Sequence, residues 1–107
     1  MGTNYYHRVE GKEDRHIGKQ SAGWAFHFRG YRKENEPDGF EIRSWEDWKN
    51  AILKEGSVYD EYERECDIRA WIQKVEAGKN NFQAAMFEDH LSWMDKDGWI
   101  FTLTDFC

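Results

Sequence analysis

The stretch from Asp60 to Asp67 (DEYERECD) has the residue types most suited to chemistry, with five carboxylates and one arginine in eight positions. Closely spaced carboxylates can exchange protons with a substrate or bind magnesium. Both tasks need a concave, partly dry setting that raises the pKa of one carboxyl, whereas a stretch this polar is expected to be solvated. No Ser-His-Asp or Cys-His arrangement stands out elsewhere, so we predict that the chain is not an enzyme.

The same stretch is better suited to binding a partner with a basic surface. Negative charge speeds and orients association with a positive surface, while affinity comes from buried anchors such as Tyr or Trp. Tyr59 and Tyr62 stand beside the carboxylates and are the anchors that we expect. A plain solvated connection between two elements is the simpler alternative interpretation. The predicted partner-binding residues are Tyr59, Asp60, Glu61, Tyr62, Glu63 and Glu65.

A second group of side chains, between His16 and Lys33, is basic and interleaved with aromatic residues. Residues 1–33 hold seven Lys and Arg against three Asp and Glu, and the rest of the chain holds eight against eighteen. Basic grooves with aromatic rings bind single-stranded nucleic acid, but a net charge of −6 opposes binding to phosphates. A small nucleic-acid-binding or metal-binding module is therefore the alternative function. Its residues would be His16, Lys19, His27, Arg29 and Arg32.

The four histidines and two cysteines do not fall at the spacings of a zinc site, and neither cysteine lies in a CxxC pair. A site that joins His16 and His27 across neighbouring strands stays open as a geometric alternative. The segment 95–98 (DKDG) begins like a calcium loop, but aromatic residues stand where the fifth and twelfth positions need oxygen ligands. We predict no metal and no cofactor, and two free thiols at Cys66 and Cys107.

The clearest strand predicted by the sequence runs from Trp24 to Arg29. Trp24, Phe26 and Phe28 alternate with smaller or polar residues, which places three rings on the core face and His27 and Arg29 on the other. Further strands are predicted at residues 3–9, 16–17, 40–42, 58–59, 92–95 and 99–103, the last two forming a hairpin. A Gly/Ser loop is predicted over 18–23 and a polar, mobile loop over 30–39.

Two helices have clear starting signals, because Ser44 and Asp67 can each accept hydrogen bonds from the free amides of a first helical turn. Gly56 and Gly78 end them. Residues 79–91 predict a third helix. The apolar positions predicted to share the core face of the first helix are Trp45, Trp48, Ile52 and Leu53, and those of the second are Ile68, Trp71, Ile72 and Val75.

Composition then sets the class. The mean hydropathy of −0.99 is very low, but aromatic residues make up 17% of the chain and each buries about 150–250 Å². We predict a single α+β domain over residues 1–107, with a small, mostly antiparallel sheet packed by two or three helices. The sequence has neither a signal peptide nor an apolar stretch long enough for a membrane span. We therefore expect a soluble cytoplasmic protein without a membrane partner.

Three short segments carry a resemblance to a known family: Met1 to Tyr6 (MGTNYY), His16 to Lys19 (HIGK) and Ser21 to Trp24 (SAGW). With them, the sequence resembles a family of small uncharacterised proteins encoded by tailed bacteriophages and prophages. Family members carry a Cys-x-x-Cys knuckle before the HIGK segment, which implies bound zinc. This chain has Val9 to Arg15 there without a cysteine, so the implied metal does not carry over.

What the resemblance implies is a genome context. Small phage proteins of this kind often act by stoichiometric binding to a host enzyme or defence complex. We therefore expect an accessory protein that binds a host or defence protein through its acidic surface.

Overall fold

The structure is a computed structural model that describes residues 2–21, 26–78 and 92–103. Its strands are β1 (Gly2–Arg8), β2 (Arg15–Ser21), β3 (His27–Arg29), β4 (Ser57–Asp60), β5 (Glu65–Cys66), β6 (Ser92–Met94) and β7 (Ile100–Thr102). Its helices are α1 (Trp45–Lys54) and α2 (Ile68–Ala77), with a short 3-10 turn at Lys33–Asn35.

The strands described form one sheet in the order β5-β4-β1-β2-β3-β7-β6. Neighbouring strands run antiparallel, except that β3 and β7 are parallel. The predicted α+β class, a mostly antiparallel sheet with helices, is confirmed. Among the described residues, no helix is long and apolar enough to cross a membrane.

The return strand β2 is longer than predicted, and the loop expected over residues 18–23 is wrong for residues 18–21. Gly18 is buried inside β2, opposite Tyr5 on one side and Phe28 on the other. A Cβ there would collide with the His27 carbonyl oxygen and the Phe26 ring. The close approach of β3 to β2 therefore requires glycine at position 18. The sequence pattern alone indicates a loop there, which is why the prediction was wrong.

Strand β3 has the predicted alternation. Phe26 and Phe28 are fully buried on the face that packs against the helices, while His27 and Arg29 are half-buried on the other face, here called the far face. Trp24, the third ring predicted for the core, lies outside the described residues. Phe28 is central because its ring centroid lies within 5.5 Å of four others, those of Phe26, Trp45, Trp99 and Phe101.

Helix α1 begins as predicted, since the Ser44 hydroxyl accepts a hydrogen bond from the Asp47 amide at 3.1 Å. Trp45, Trp48 and Ile52 are buried. The prediction for Leu53 is wrong, because its side chain is 62% exposed. One residue turns a helix by about 100°, which carries Leu53 beyond the apolar stripe that Ile52 completes.

Helix α2 also begins at its predicted cap, where the Asp67 carboxylate accepts from the Ala70 amide at 2.9 Å. Trp71 and Val75 are buried, and Gly78 follows the helix end. The third predicted helix, residues 79–91, lies outside the described residues.

The strand predicted at 40–42 is reduced to a single bridge, which joins Ile42 to the buried Tyr31 within the predicted 30–39 loop.

The predicted terminal hairpin is confirmed by β6 and β7. Its turn begins at Asp95, a buried residue that the sequence analysis placed at the end of the first hairpin strand. Asp95 accepts hydrogen bonds from the Asp97 and Trp99 amides at 3.0 and 2.8 Å. Its second oxygen accepts from the Trp45 amide at 2.8 Å. One carboxylate therefore closes the hairpin and also holds the first turn of α1 against it.

We predict that Asp95→Ala lowers the free energy of unfolding by about 3 kcal/mol, because buried amides lose their acceptor. Chemical denaturation would measure the change, with Asp97→Ala, an exposed residue of the same turn, as the matched control. Equal free energies of unfolding for the two variants would contradict the role of Asp95.

Candidate functional site

The acidic stretch forms a tight turn between β4 and β5, here called the Asp60 turn and defined as residues 60–64. The Asp60 amide donates to the Arg64 carbonyl at 3.0 Å, and the Glu63 amide donates to the Asp60 carbonyl at 3.1 Å. Glu63 has φ of 63°, the one positive φ of a non-glycine residue in the described part of the chain. Three-residue hairpin loops commonly end in such a left-handed residue, and glycine is favoured there.

The Asp60 side chain fixes the conformation of this turn. One of its oxygens accepts from the Tyr62 and Arg64 amides at 2.9 and 3.0 Å, and the other accepts from the Arg64 guanidinium at 2.9 Å. Burial acts to raise the pKa of Asp60, but the hydrogen bonds from Arg64 and Tyr62 outweigh it and lower the pKa below its ordinary value. The predicted binding residue Asp60 is therefore buried and occupied within the turn.

Tyr62 projects from the turn, with 61% of the residue exposed. The Arg64 guanidinium lies 5.2 Å from the centre of its ring. Tyr62 is one of only three large hydrophobic residues that are exposed in the described part of the chain; the others are Leu53 and Met94. The Tyr62 ring is thus exposed on a backbone that the Asp60 carboxylate holds in place.

Glu61 and Glu63 attach the turn to strand β1. Glu61 accepts from the backbone and side-chain nitrogens of Asn4 at 2.7 and 3.2 Å. Glu63 pairs with the Arg8 guanidinium at 2.8 and 3.0 Å. Arg8 also pairs with Asp14 and lies 4.0 Å from the centre of the Tyr59 ring.

The predicted binding residues thus separate into two groups. Asp60 is buried in the turn, and Tyr59 is half-buried beneath the Arg8 guanidinium. Tyr62, Glu61, Glu63 and Glu65 are exposed, and Glu65 belongs to the edge strand β5. Over residues 60–67 the excess of carboxylates leaves this end of the sheet negative.

Sequence reasoning missed Asn4 and Arg8, which contact the turn, and Asp14, which holds Arg8. They are distant in sequence from the turn, so no local pattern points to them. One local signal was readable. Asp60 stands at the first position of the turn, where an aspartate accepts from the backbone two residues on.

The strand pairing brings most of the alternative set to the far face. Lys19 pairs with His27, and His16 lies opposite Tyr6 with the two rings stacked at 5.1 Å. Arg32, in contrast, lies outside the sheet at the start of the 3-10 turn. The alternative set therefore does not form one continuous surface.

Arg29 and His27 are less available to a phosphate group than their residue types suggest. The Arg29 Nε donates to the Leu103 carbonyl at 3.1 Å, and its guanidinium lies 5.0 Å from the centre of the Tyr31 ring. Burial lowers the pKa of His27, so its imidazole is neutral at pH 7.

Within the described residues, no group of three or more His, Cys, Asp or Glu side chains is placed to hold a metal ion. His16 and His27 do not face each other, since the partner of His27 across β2 is Lys19. His16 instead hydrogen-bonds the Asn4 side chain at 2.8 Å. Cys66 is a free thiol whose pKa is raised by burial and by the charge of Asp60, which disfavours a nucleophilic thiolate. Cys107 lies outside the described residues.

No protein-family model, no curated protein and no solved structure matches this chain.

We predict a proton-linked opening of the Asp60 turn. Because the pKa of Asp60 is lower in the folded than in the unfolded state, its ionisation stabilises the turn above the unfolded pKa, about 3.9. That stabilisation is lost as the pH falls through the lower, folded value. The amide resonances of Tyr62 and Arg64 should titrate together with the Asp60 carboxyl below about pH 4. In Asp60→Asn the amide resonances of Tyr62 and Arg64 should show no titration midpoint below about pH 4. A wild-type midpoint above about pH 4 would contradict the account.

Proposed function

We propose that this chain acts by stoichiometric binding to another protein that presents a basic surface, and that the Asp60 turn is its contact. The observation that carries the proposal is the exposed Tyr62 ring, held on a turn that the Asp60 carboxylate locks from within. The proposal makes the chain a binding protein and not an enzyme.

Rigidity of the turn supports a binding role. Ordering a loop at an interface costs free energy, and a contact that is already ordered avoids that cost. Tyr is among the residues that dominate binding energy when they enter a pocket on the partner. Glu63 is also held in a conformation that glycine would adopt more easily, and such local strain clusters at functional sites.

The carboxylates around Tyr62 would act mainly on the rate and orientation of association. Exposed charges of one sign attract a surface of the other sign, and salt screens this attraction over about 8–10 Å. Glu61, Glu63 and Glu65 are exposed and lie within three residues of Tyr62 along the chain. A partner that fits would have a pocket for the Tyr62 ring, bordered by Lys or Arg side chains.

The resemblance to tailed-phage proteins supplies the biological part of the proposal. It would make the partner a host enzyme or a defence protein in the cytoplasm of an infected bacterium, and the chain its inhibitor. Affinity capture from a bacterial lysate, read by mass spectrometry, would identify such a partner.

We predict that Tyr62→Ala weakens binding to the captured partner by about thirtyfold, since truncating an anchor of this type costs about 2 kcal/mol or more. Leu53→Ala is the matched control, because Leu53 and Tyr62 are 62% and 61% exposed. Calorimetry with purified partner would measure both affinities. An unchanged affinity of Tyr62→Ala would contradict the proposal.

The charge contribution is tested best at Glu65. Glu61 and Glu63 hold Asn4 and Arg8, so reversing them would disturb the turn as well as its charge. Among the described residues, Glu65 has no such side-chain partner. Glu65→Lys should therefore slow association at low salt, and this effect should disappear at high salt. An effect of Glu65→Lys that is independent of salt would exclude steering by this surface.

A nucleic-acid-binding module is the second candidate, favoured by the placement of Lys19 beside His27 on the far face. It predicts binding of single-stranded DNA that weakens steeply with salt and is reduced by Lys19→Ala. Native mass spectrometry would test zinc in parallel. Binding that depends on Lys19 and not on Tyr62 would favour this candidate over the first.

A further inference from the structure

We propose that Arg8 is a positioning residue for the Asp60 turn: it holds the turn in its binding conformation without itself contacting the partner. This inference rests on the proposed function for its consequence in binding. Its structural part, that Arg8 orders the turn, stands on the contacts of Arg8 alone.

Arg8 is the last residue of β1, and its guanidinium contacts three other segments. Its Nε donates to one oxygen of Asp14 at 3.0 Å, and its Nη2 donates to the other at 2.9 Å. These bonds fix the connection between β1 and β2. Nη2 also donates to both oxygens of Glu63 in the Asp60 turn, at 2.8 and 3.0 Å. The flat side of the group lies over the Tyr59 ring of β4.

Glu63 is the residue of the turn that most needs such support. With φ of 63° it occupies a position where a side chain is disfavoured. The hydrogen bonds of Asp60 hold the amides of Tyr62 and Arg64 on either side of it. Arg8 holds the Glu63 side chain, so the turn is secured both by its own aspartate and by a residue of β1.

Only arginine can make all these contacts at once. Its planar fork donates to two carboxylates in fixed directions and stacks on an aromatic ring, whereas lysine presents a single compact charge. Arg8→Lys therefore keeps the net charge but removes the geometry. Long-range attraction of a basic partner is unchanged in this variant, and only the order of the turn differs.

Loss of order has a defined kinetic signature. If only a fraction of molecules holds the binding conformation, the apparent affinity falls by that fraction. Association slows in proportion, while dissociation from the formed complex stays the same. A residue that contacts the partner directly would instead speed dissociation when it is removed.

The chain offers a matched control in Arg15. Like Arg8 it pairs with a carboxylate, that of Asp38 at 2.7 Å, and its guanidinium lies 3.8 Å from the centre of an aromatic ring, Phe40. Its contacts are with the loop before α1 and not with the Asp60 turn. Arg15→Lys makes the same chemical change at the other arginine of the β1–β2 hairpin.

The experiment combines amide hydrogen exchange on the free protein with the kinetics of binding to an octa-arginine peptide at low salt. We expect Arg8→Lys to speed exchange of the Glu63 and Arg64 amides about tenfold, and to slow association about fivefold with unchanged dissociation. Exchange of the core amides of β1 and β2 should not change. Arg15→Lys should leave the turn amides and both rate constants as in the wild type.

Three results would overturn the assignment. Unchanged exchange at Glu63 and Arg64 in Arg8→Lys would show that Arg8 does not order the turn. Faster exchange with unchanged association would show that binding does not depend on that order. Faster dissociation with unchanged exchange would make Arg8 a direct contact.

Failure of the proposed function would look different. If the wild-type chain and Tyr62→Ala bind octa-arginine equally well, the Asp60 turn is not the contact. Arg8 then has no role in binding. The exchange measurement uses no peptide, so the ordering of the turn by Arg8 would still be decided separately.

Discussion

The packing of aromatic rings against one face of the sheet is the interaction on which the rest of the structure depends. Phe28 contacts the ring of Phe26, just before its own strand, and rings from α1 and the terminal hairpin. A few residues of this kind bury enough apolar surface to organise a chain of very low mean hydropathy. They also bind polar groups at their ends: the Trp48 indole donates to the Arg29 carbonyl, and the Tyr31 hydroxyl donates to the His16 carbonyl.

Aromatic rings fill the core, so the charged side chains lie at the surface. Their pairing there differs from what their order in the sequence suggests. The first third of the chain is basic and the remainder acidic. In the structure, Arg8 pairs with Glu63, and Arg15 pairs with Asp38 and lies near Glu36. Basic residues from the first third are thus partly neutralised by later carboxylates. Along the chain, carboxylates outnumber arginines by five to one over residues 60–67, the stretch that carries Tyr62.

The sequence predicted those features that depend on short spacings. Alternation in β3, the caps at Ser44 and Asp67, and the terminal hairpin each follow from residues a few positions apart. All were confirmed within the described residues. The acidic stretch was also recognised as a surface feature from its composition, although its turn geometry was not.

Features that depend on a distant partner could not be predicted. Gly18 reads as a loop residue until strand β3 is seen to approach it. Asp95 reads as a turn residue, since its bond to Trp45 spans fifty positions. Arg8 reads only as one charge of the basic first third, because its partner Glu63 lies 55 positions away. Leu53 differs, since its exposure follows from where the helical stripe ends.

The central claim is that the Asp60 turn contacts the partner. The most direct test is hydrogen exchange of the chain alone and in complex with its captured partner, resolved to short segments. The account predicts that binding protects residues 60–65 beyond their level in the free protein, with little change on the far face. Protection confined to the strands that carry Lys19 and His27, with none at the Asp60 turn, would contradict it.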